Sequence, residues 1–279
     1  MDFVAVGHVT LDHTPSGIQP GGTAYYAALT AHRLGLRAGL VTSFGPDFDP
    51  AIFPTGLEIV TAPSDRTTVF RIDESGSRRK LTLLSRAADL EIEHLPEEWQ
   101  DAALALLGPV INEVDPALAG AFSEAALGVL PQGWMRRRGA GGALSPERWD
   151  AADLVLPHTQ LLVVSAEDIE PFRTTALEWF QRVPLGVVTR GREGAVLFVN
   201  GERYHVEADR AAEMDATGAG DVFAAAMLIE YHREGNPWDA AAAGVCAAAA
   251  SVEGLGAARI PDRPVLRERL AAYQRRLSG

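Results

Sequence analysis

The chain has 279 residues, of which 47% are hydrophobic and 22% charged, and a formal net charge of −12. This composition suits a folded globular chain and excludes disordered, collagen-like and disulfide-scaffold proteins. An acidic balance repels nucleic-acid phosphates and anionic lipid, so neither is an expected partner.

Phe3 to Val6 is a short apolar run ending at Gly7 and reads as a buried first strand. Gly21-Gly22 then opens an Ala-rich helix from Thr23 to Leu34, which stops at Gly35. A strand at Leu40 to Ser43 completes a βαβ rhythm, the mark of a parallel sheet covered by helices. The pattern then turns β-rich: Leu57 to Thr61, Thr67 to Ile72, the turn Asp73-Glu74-Ser75-Gly76, and Leu81 to Leu84. We expect a small β lid here, inserted at about residues 57–86 into a single domain spanning 1–279, because no Pro/Gly/Ser-rich linker separates two complete patterns. The βα rhythm returns with strands at Leu104 to Leu107, Leu127 to Leu130, Leu161 to Val164 and Gly186 to Thr189. Arg136-Arg137-Arg138, ahead of Gly139 to Gly142, reads as a loop with a solvated basic corner. An Asn200-Gly201 turn makes a hairpin of Val196 to Val199 and Tyr204 to Val206. Three helices follow, at about Gly220 to Tyr231, Trp238 to Ser251 and Pro264 to Leu277. The fold class is α/β, with a central, mostly parallel sheet flanked by helices.

Of the 25 basic residues 24 are Arg, and the only Lys is Lys80, in the turn-like stretch SGSRRK. It follows Arg79 and precedes Leu81, so it cannot serve a Walker A loop, and Schiff-base or protein-kinase chemistry lacks its placed lysine. Cys246 is the only cysteine, which rules out an intrachain disulfide or a Cys-based zinc site and suits a reducing compartment. The seven His carry no HExxH or His-x-His spacing. Asp2 stands where a signal peptide needs positive charge, and the longest small-apolar run, Ala240 to Ser251, falls short of the ~20 residues of a membrane span. The expected setting is cytoplasmic.

The most informative segment is DATGAGD, Asp215 to Asp221, which runs into an apolar helix. Gly218, Ala219 and Gly220 carry little or no side chain, so their N–H groups can approach a ligand at a helix start, where the dipole adds positive potential. Asp221 would stand in that anion cradle, a position that suits an acid with chemical work. Taken alone, the segment fits a capped helix after a glycine turn equally well.

DATGAGD followed by a small-residue helix resembles the C-terminal signature of the ribokinase-like (PfkB) carbohydrate kinases, and further motifs fall in that family's order. Gly7 and Asp12 in VGHVTLD are similar to the first-strand motif whose Asp binds substrate hydroxyls. Gly21-Gly22 resembles the di-glycine motif of the sugar site, and Gly45-Pro46-Asp47 the Gly-x-Asp loop after the second strand. TRGREGA, Thr189 to Ala195, is similar to the nucleotide-phosphate strand and loop, and SVEGLGA, Ser251 to Ala257, to the adenine-side segment. Two positions depart from the pattern. Tyr26 stands where many members have Asn, and Ser165-Ala166-Glu167-Asp168 replaces Asn-x-x-Glu, leaving the acid one carbon shorter. With TTVF at Thr67 to Phe70 and LPQGWMR at Leu130 to Arg136, these departures resemble the inositol-kinase-like branch.

The resemblance implies a ribokinase-like fold and an ATP-dependent phosphotransferase acting on a hydroxyl of a small sugar or polyol. Asp221 would be the general base, and Gly218, Ala219 and Gly220 the anion hole. Asp12, Gly21, Gly22, Tyr26 and Arg136 would hold the acceptor; Thr189, Gly191, Gly194 and Gly256 would meet the nucleotide. Asp168 and Glu167 would lie in the outer shell of Mg²⁺, and Asp215 would hold a monovalent cation such as K⁺. The lid offers a route to a homodimer. For Tyr25 and Tyr26, one is expected in core packing and the other in the pocket, with no preference between them. Two alternatives remain: a nucleoside acceptor stacked on Tyr25, Tyr26 or Phe44, and a non-catalytic small-molecule sensor of the same fold.

Overall fold

The computed structural model describes residues 1–15, 17–73 and 80–278. Of the expected β-rich turn, Glu74, Ser75 and Gly76 lie outside the described residues, as do Ser77, Arg78 and Arg79 of the SGSRRK stretch. The first strands are β1 (Phe3–Val6), β2 (Thr10–Thr14), β3 (Gly17–Gly21), β4 (Ala38–Phe44), β5 (Glu58–Pro63), β6 (Thr68–Asp73) and β7 (Lys80–Ser85). Then come β8 (Leu104–Leu107), β9 (Ala126–Val129), β10 (Arg136–Arg138), β11 (Leu144–Pro146), β12 (Thr159–Ser165), β13 (Leu185–Thr189), β14 (Ala195–Val199) and β15 (Glu202–Val206). The longer helices are α1 (Thr23–Arg33), α2 (Arg173–Phe180), α3 (Ala219–Glu234), α4 (Pro237–Ser251) and α5 (Arg263–Ser278).

Among the described residues nine strands form one sheet, in the order β15-β14-β13-β12-β9-β8-β1-β4-β5. Every neighbouring pair from β13 to β5 is parallel, and β14 and β15 continue antiparallel as the Asn-Gly hairpin. Strand β1 shows why the chain folds this way. Phe3 and Ala5 pack into one apolar cluster with α1, α3 and α4, while Val4 and Val6 pack into a second with Trp99, Trp134, Trp149 and Trp179. A strand apolar at every position is therefore buried on both faces, as a central parallel strand must be.

The small sheet corrects the expected lid boundaries. Its order among the described residues is β3-β2-β6-β7, so it draws on β2 and β3 as well as on β6 and β7. The Leu57 to Thr61 run, expected in the lid, instead becomes β5 at the edge of the large sheet, paired with β4. The basic corner is also more ordered than expected, since Arg136–Arg138 pairs antiparallel with Leu144–Pro146.

A buried polar network holds the root of the small sheet. His8, fully buried between β1 and β2, donates from Nε2 to the Ala88 carbonyl at 2.7 Å and accepts at Nδ1 from the Thr68 hydroxyl at 2.8 Å. The Thr68 Oγ1 in turn accepts the Ala87 N–H, and Glu113 accepts the N–H groups of His8, Val110 and Ile111. Burial pushes the His8 imidazole below its ordinary value; Arg86 adds to this, while Glu113, Asp89 and the Ala88 bond oppose it. The folded protein therefore holds His8 neutral and binds fewer protons there than the unfolded chain does. Stability from this group is present above the unfolded pKa of about 6.5 and is lost as pH falls from there through the lower folded value. Melting curves from pH 8 to 5 should show Tm falling below pH 6.5, with a shallower fall in His8→Asn; parallel curves would remove His8 as the cause.

Candidate active site

A cavity of about 990 Å³ opens between the large sheet and the small one. Its lining residues follow the carboxyl ends of β1, β8, β9, β12 and β13: Thr10 and Asp12, Val110, Gln132, Ser165, and Thr189. Strand β1 lies between β4 and β8, so the chain reverses its direction of sheet growth there, and ligands of parallel sheets collect at such a point.

At one end of the cavity, Asp12 projects from β2, only 7% exposed, and accepts the Thr10 hydroxyl at 2.9 Å. A side chain at Gly21, which pairs with Thr10, would collide with the Asp12 carboxylate. Gly22 begins α1 at φ +103°, a conformation side chains avoid, and a Cβ there would strike the His8 carbonyl. Gly45-Pro46-Asp47 braces the approach to β6, with Asp47 accepting both the N–H and the hydroxyl of Thr67. Arg136 reaches the cavity by donating to the Val110 carbonyl and to Gln132 Oε1, each at 3.0 Å, and Gln132 donates onward to the Thr23 hydroxyl. The basic corner is thus partly turned inward at Arg136, while Arg137 and Arg138 stay exposed.

The structure divides the two tyrosines. Tyr25 packs edge-on to Phe53 in the core, whereas Tyr26 lines the cavity, its ring against Gly218. Its hydroxyl is buried without a hydrogen-bond partner among the described residues. Burial first, then the negative charges of Asp221, Asp12 and Asp215, holds the phenol far above its usual range, so Tyr26 stays neutral. Phe44, packed with Phe48 and Phe53, does not reach the cavity.

Asp221 sits in the first turn of α3 and faces the cavity beside Gly218, Ala219 and Gly220. Gly218 caps the helix at φ +77°, and a Cβ there would press into the Tyr26 ring. Ala219 N–H makes a long bond to the Ala216 carbonyl at 3.3 Å, which a bound anion would compete for. Around Gly220 nothing stands within 4 Å of a would-be Cβ, so its backbone is open to a ligand.

The expected metal residues lie nearby. Asp168 accepts the Ser165 hydroxyl at 2.6 Å, and its own N–H returns to Ser165 Oγ at 3.0 Å; both residues and Glu167 line the cavity. No group of three or more His, Cys, Asp or Glu is placed to hold a metal among the described residues. Two neighbouring carboxylates fit Mg²⁺, which keeps most of its water and takes the rest of its ligands from phosphate. Asp215 accepts the N–H groups of Thr217 and Gly256, each at 2.9 Å, and so ties the turn before α3 to the segment after α4.

At the other end of the cavity, Thr189, Gly191 and Gly194 form part of the wall, and Gly194 lies so close to the Val206 carbonyl that no side chain would fit. Gly256, expected at the adenine, donates its N–H to Asp215 Oδ2 at 2.9 Å and is not among the residues that line the cavity. The wall there carries Ala208, Ala211 and Ala212, interleaved with Asp209 and Arg210, on one side and Val245, Ala248, Ala249 and Val252 on the other. The sequence reading missed this slot, as it missed Phe70, Ile72 and Leu81 of the small sheet, which cover the Asp12 end. The alternation of Phe70 and Ile72, buried, with Arg71 and Asp73, exposed, was the available signal for the second set.

A large, mostly parallel sheet with this second small sheet over its carboxyl edge is the ribokinase-like fold. The chain belongs to the pfkB family of carbohydrate kinases, whose model matches residues 16–263. A cytidine kinase of Thermococcus kodakarensis is 26% identical over 255 residues, 84% of this chain and 89% of the relative. Among solved structures, a variant of a pyrophosphate-dependent myo-inositol-1 kinase superposes with a TM-score of 0.81 at 20% identity, covering 98% of this chain and 99% of that one. A fructokinase of Vibrio cholerae, solved with fructose, ADP and potassium, superposes with a TM-score of 0.71 at 20% identity over 97% and 98% of the two chains. No helix among the described residues is long and apolar enough to cross a membrane.

Proposed function

We propose that this kinase transfers a phosphoryl group from ATP to a hydroxyl of a small sugar, polyol or nucleoside. The observation that carries the reading is the convergence, in one cavity, of Asp12 and Asp221 with Gly218, Ala219 and Gly220 at the start of α3, where the space beside Gly220 is open. Phosphoryl transfer asks a protein chiefly to align two oxygens and to neutralise charge on the moving group. Asp12 would fix acceptor hydroxyls, and Asp221 would orient the attacking one and take its proton. The N–H groups at the start of α3 would stabilise the transferring group in place of a Walker lysine. Mg²⁺, held through water by Asp168 and Glu167, would neutralise charge on the donor phosphates. Asp215 would hold a monovalent cation, and the small sheet would act as a lid that excludes water.

The apolar slot supports a nucleotide donor over pyrophosphate. A flat base gains from contact with Ala208, Ala211, Ala248, Ala249 and Val252, apolar surface that pyrophosphate would leave unused, while Arg192 and Arg210 of the same lining fit the phosphates of either donor. At the acceptor end, Phe70, Ile72, Leu81 and Val110 favour a nucleoside over a fully hydroxylated polyol. A polyol would satisfy some hydroxyls at Asp12, Gln132 and Arg136 and turn others against this apolar wall, while a base would stack on it. The aromatic contacts of this second reading are Phe70 and Tyr26, in place of Tyr25 and Phe44.

The test is a panel of cytidine, adenosine, myo-inositol, fructose and ribose, each with ATP and with pyrophosphate, following product by mass. Product with ATP and at least one nucleoside is expected. Product with polyols alone would overturn the nucleoside reading, and turnover with pyrophosphate alone the nucleotide donor. ATP binding without product from any acceptor would leave the sensor.

A further inference from the structure

Helix α5 carries Arg269, Tyr273 and Arg276 at a spacing of four and three residues, which places them on one face. That face holds the chain just after β15. Tyr273, buried, donates its hydroxyl to the Glu207 carbonyl at 2.8 Å, and Arg276 donates to the Ala208 carbonyl at 3.2 Å and to Asp209 Oδ1 at 2.8 Å. Arg269 donates from Nε to Asp209 Oδ2 at 2.5 Å and from Nη2 to the Arg210 carbonyl at 2.6 Å. The same guanidinium makes a bidentate pair with Glu253, both bonds 3.1 Å. Asp209 is almost wholly enclosed, its side chain 7% exposed. Burial alone would raise its carboxyl, and the Arg276 and Arg269 hydrogen bonds outweigh this and hold it below the usual range.

The two groups that Arg269 joins belong to the two walls of the apolar slot. Ala208, Asp209 and Arg210 run into Ala211 and Ala212 on one wall, and Glu253 follows Val252, the last lining residue of the other. Arg269 itself stands outside the cavity. One planar fork thus spans the slot from behind, with hydrogen bonds to charged partners on both sides.

We propose that α5 sets the width of the donor slot through Arg269, which acts as a positioning residue for the base of the phosphoryl donor. The inference rests on the donor reading above and goes further, because it puts control of donor affinity in a helix that touches neither substrate. Loosening the fork would let the walls part, so a flat base would lose contact on one face while the acceptor end and the start of α3 keep their geometry.

The experiment measures ATP binding by calorimetry, KM for ATP, KM for the acceptor and kcat at saturating ATP, with melting curves, in three proteins: wild type, Arg269→Lys and Glu253→Gln. Arg269→Lys keeps the charge but loses the fork. Glu253→Gln weakens the clasp from its more exposed end and guards against a variant that fails to fold. Both should raise the ATP dissociation constant and KM about tenfold, as expected for loss of hydrogen bonds to charged groups. Acceptor KM and kcat at saturating ATP should stay within about twofold. A general loss of structure would instead move every parameter together. Unchanged ATP affinity in folded variants would overturn the clasp and leave the donor slot standing. A wild type that binds no nucleotide would overturn both.

Discussion

Asp221→Asn is expected to lower kcat by about 10²–10⁴-fold, the usual loss with a general base, while ATP binding is retained. The substitution is nearly isosteric and keeps a polar side chain in the first turn of α3, so the helix start survives. It removes a carboxylate that favours the helix dipole, typically ~0.3–1 kcal/mol at such a site. ATP affinity should hold or rise slightly, because Asn removes a negative charge beside the donor phosphates. The Tyr26 phenol, which is neutral and faces the charges of Asp221, Asp12 and Asp215, offers no second base once Asp221 is gone. The measurements are kcat with an acceptor that the wild type phosphorylates, calorimetric ATP binding and a melting curve. Turnover within about threefold of wild type would remove Asp221 as the base.

The parts of the fold that depend on neighbours in the chain were legible in the sequence. Strand β1, the hairpin β14–β15 and helices α1, α3, α4 and α5 lie within a few residues of their expected bounds, because each is specified by its own apolar period and its own Gly, Pro or Asn signals. The small sheet was legible only in part. Strand β2 pairs in parallel with β6, across β3, α1, β4 and β5, and no local pattern announces a partner so far along the chain. Strand β3, GIQPG, with two glycines and a proline, reads as loop and is held as a strand by β2 alone.

The candidate site divides in the same way. Residues whose type is unusual for their place could be found by reading: Asp12 after an apolar strand, the glycines of DATGAGD, and Asp221 in a cradle suited to an anion. Tyr25 and Tyr26 could not be told apart, since the choice turns on which ring faces Gly218, a contact between α1 and the start of α3. The donor slot was invisible for a different reason. Ala208, Ala211, Ala248 and Ala249 carry no chemistry one by one, and only the meeting of α4 with the segment after β15 makes a slot of them. Gly256 was placed by motif at the nucleotide, yet its N–H serves the Asp215 carboxylate, a role that spacing alone does not reveal.

Gly220→Val is the second large effect expected, with turnover falling by at least about 10²-fold, the cost of losing one backbone donor to a developing charge. The structure makes this substitution unusually clean. A Cβ at position 220 meets nothing within 4 Å, so the substitution adds bulk from open space on the cavity wall, where the phosphoryl group would pass. The residue lies in α3 with helical backbone geometry, and valine has a somewhat better helix propensity than glycine, so the melting temperature should hold or rise slightly. The neighbouring Gly218→Val would not separate the two effects, because its left-handed backbone and the Tyr26 ring both forbid a side chain. Acceptor binding at Asp12, on the far side of the cradle, should be unchanged in Gly220→Val, while ATP should bind more weakly. A folded Gly220→Val protein that turns over at the wild-type rate would place the transferring group away from the start of α3. Asp221 would then be left without the anion that its position requires, so this one variant tests the cradle and the base as a single arrangement.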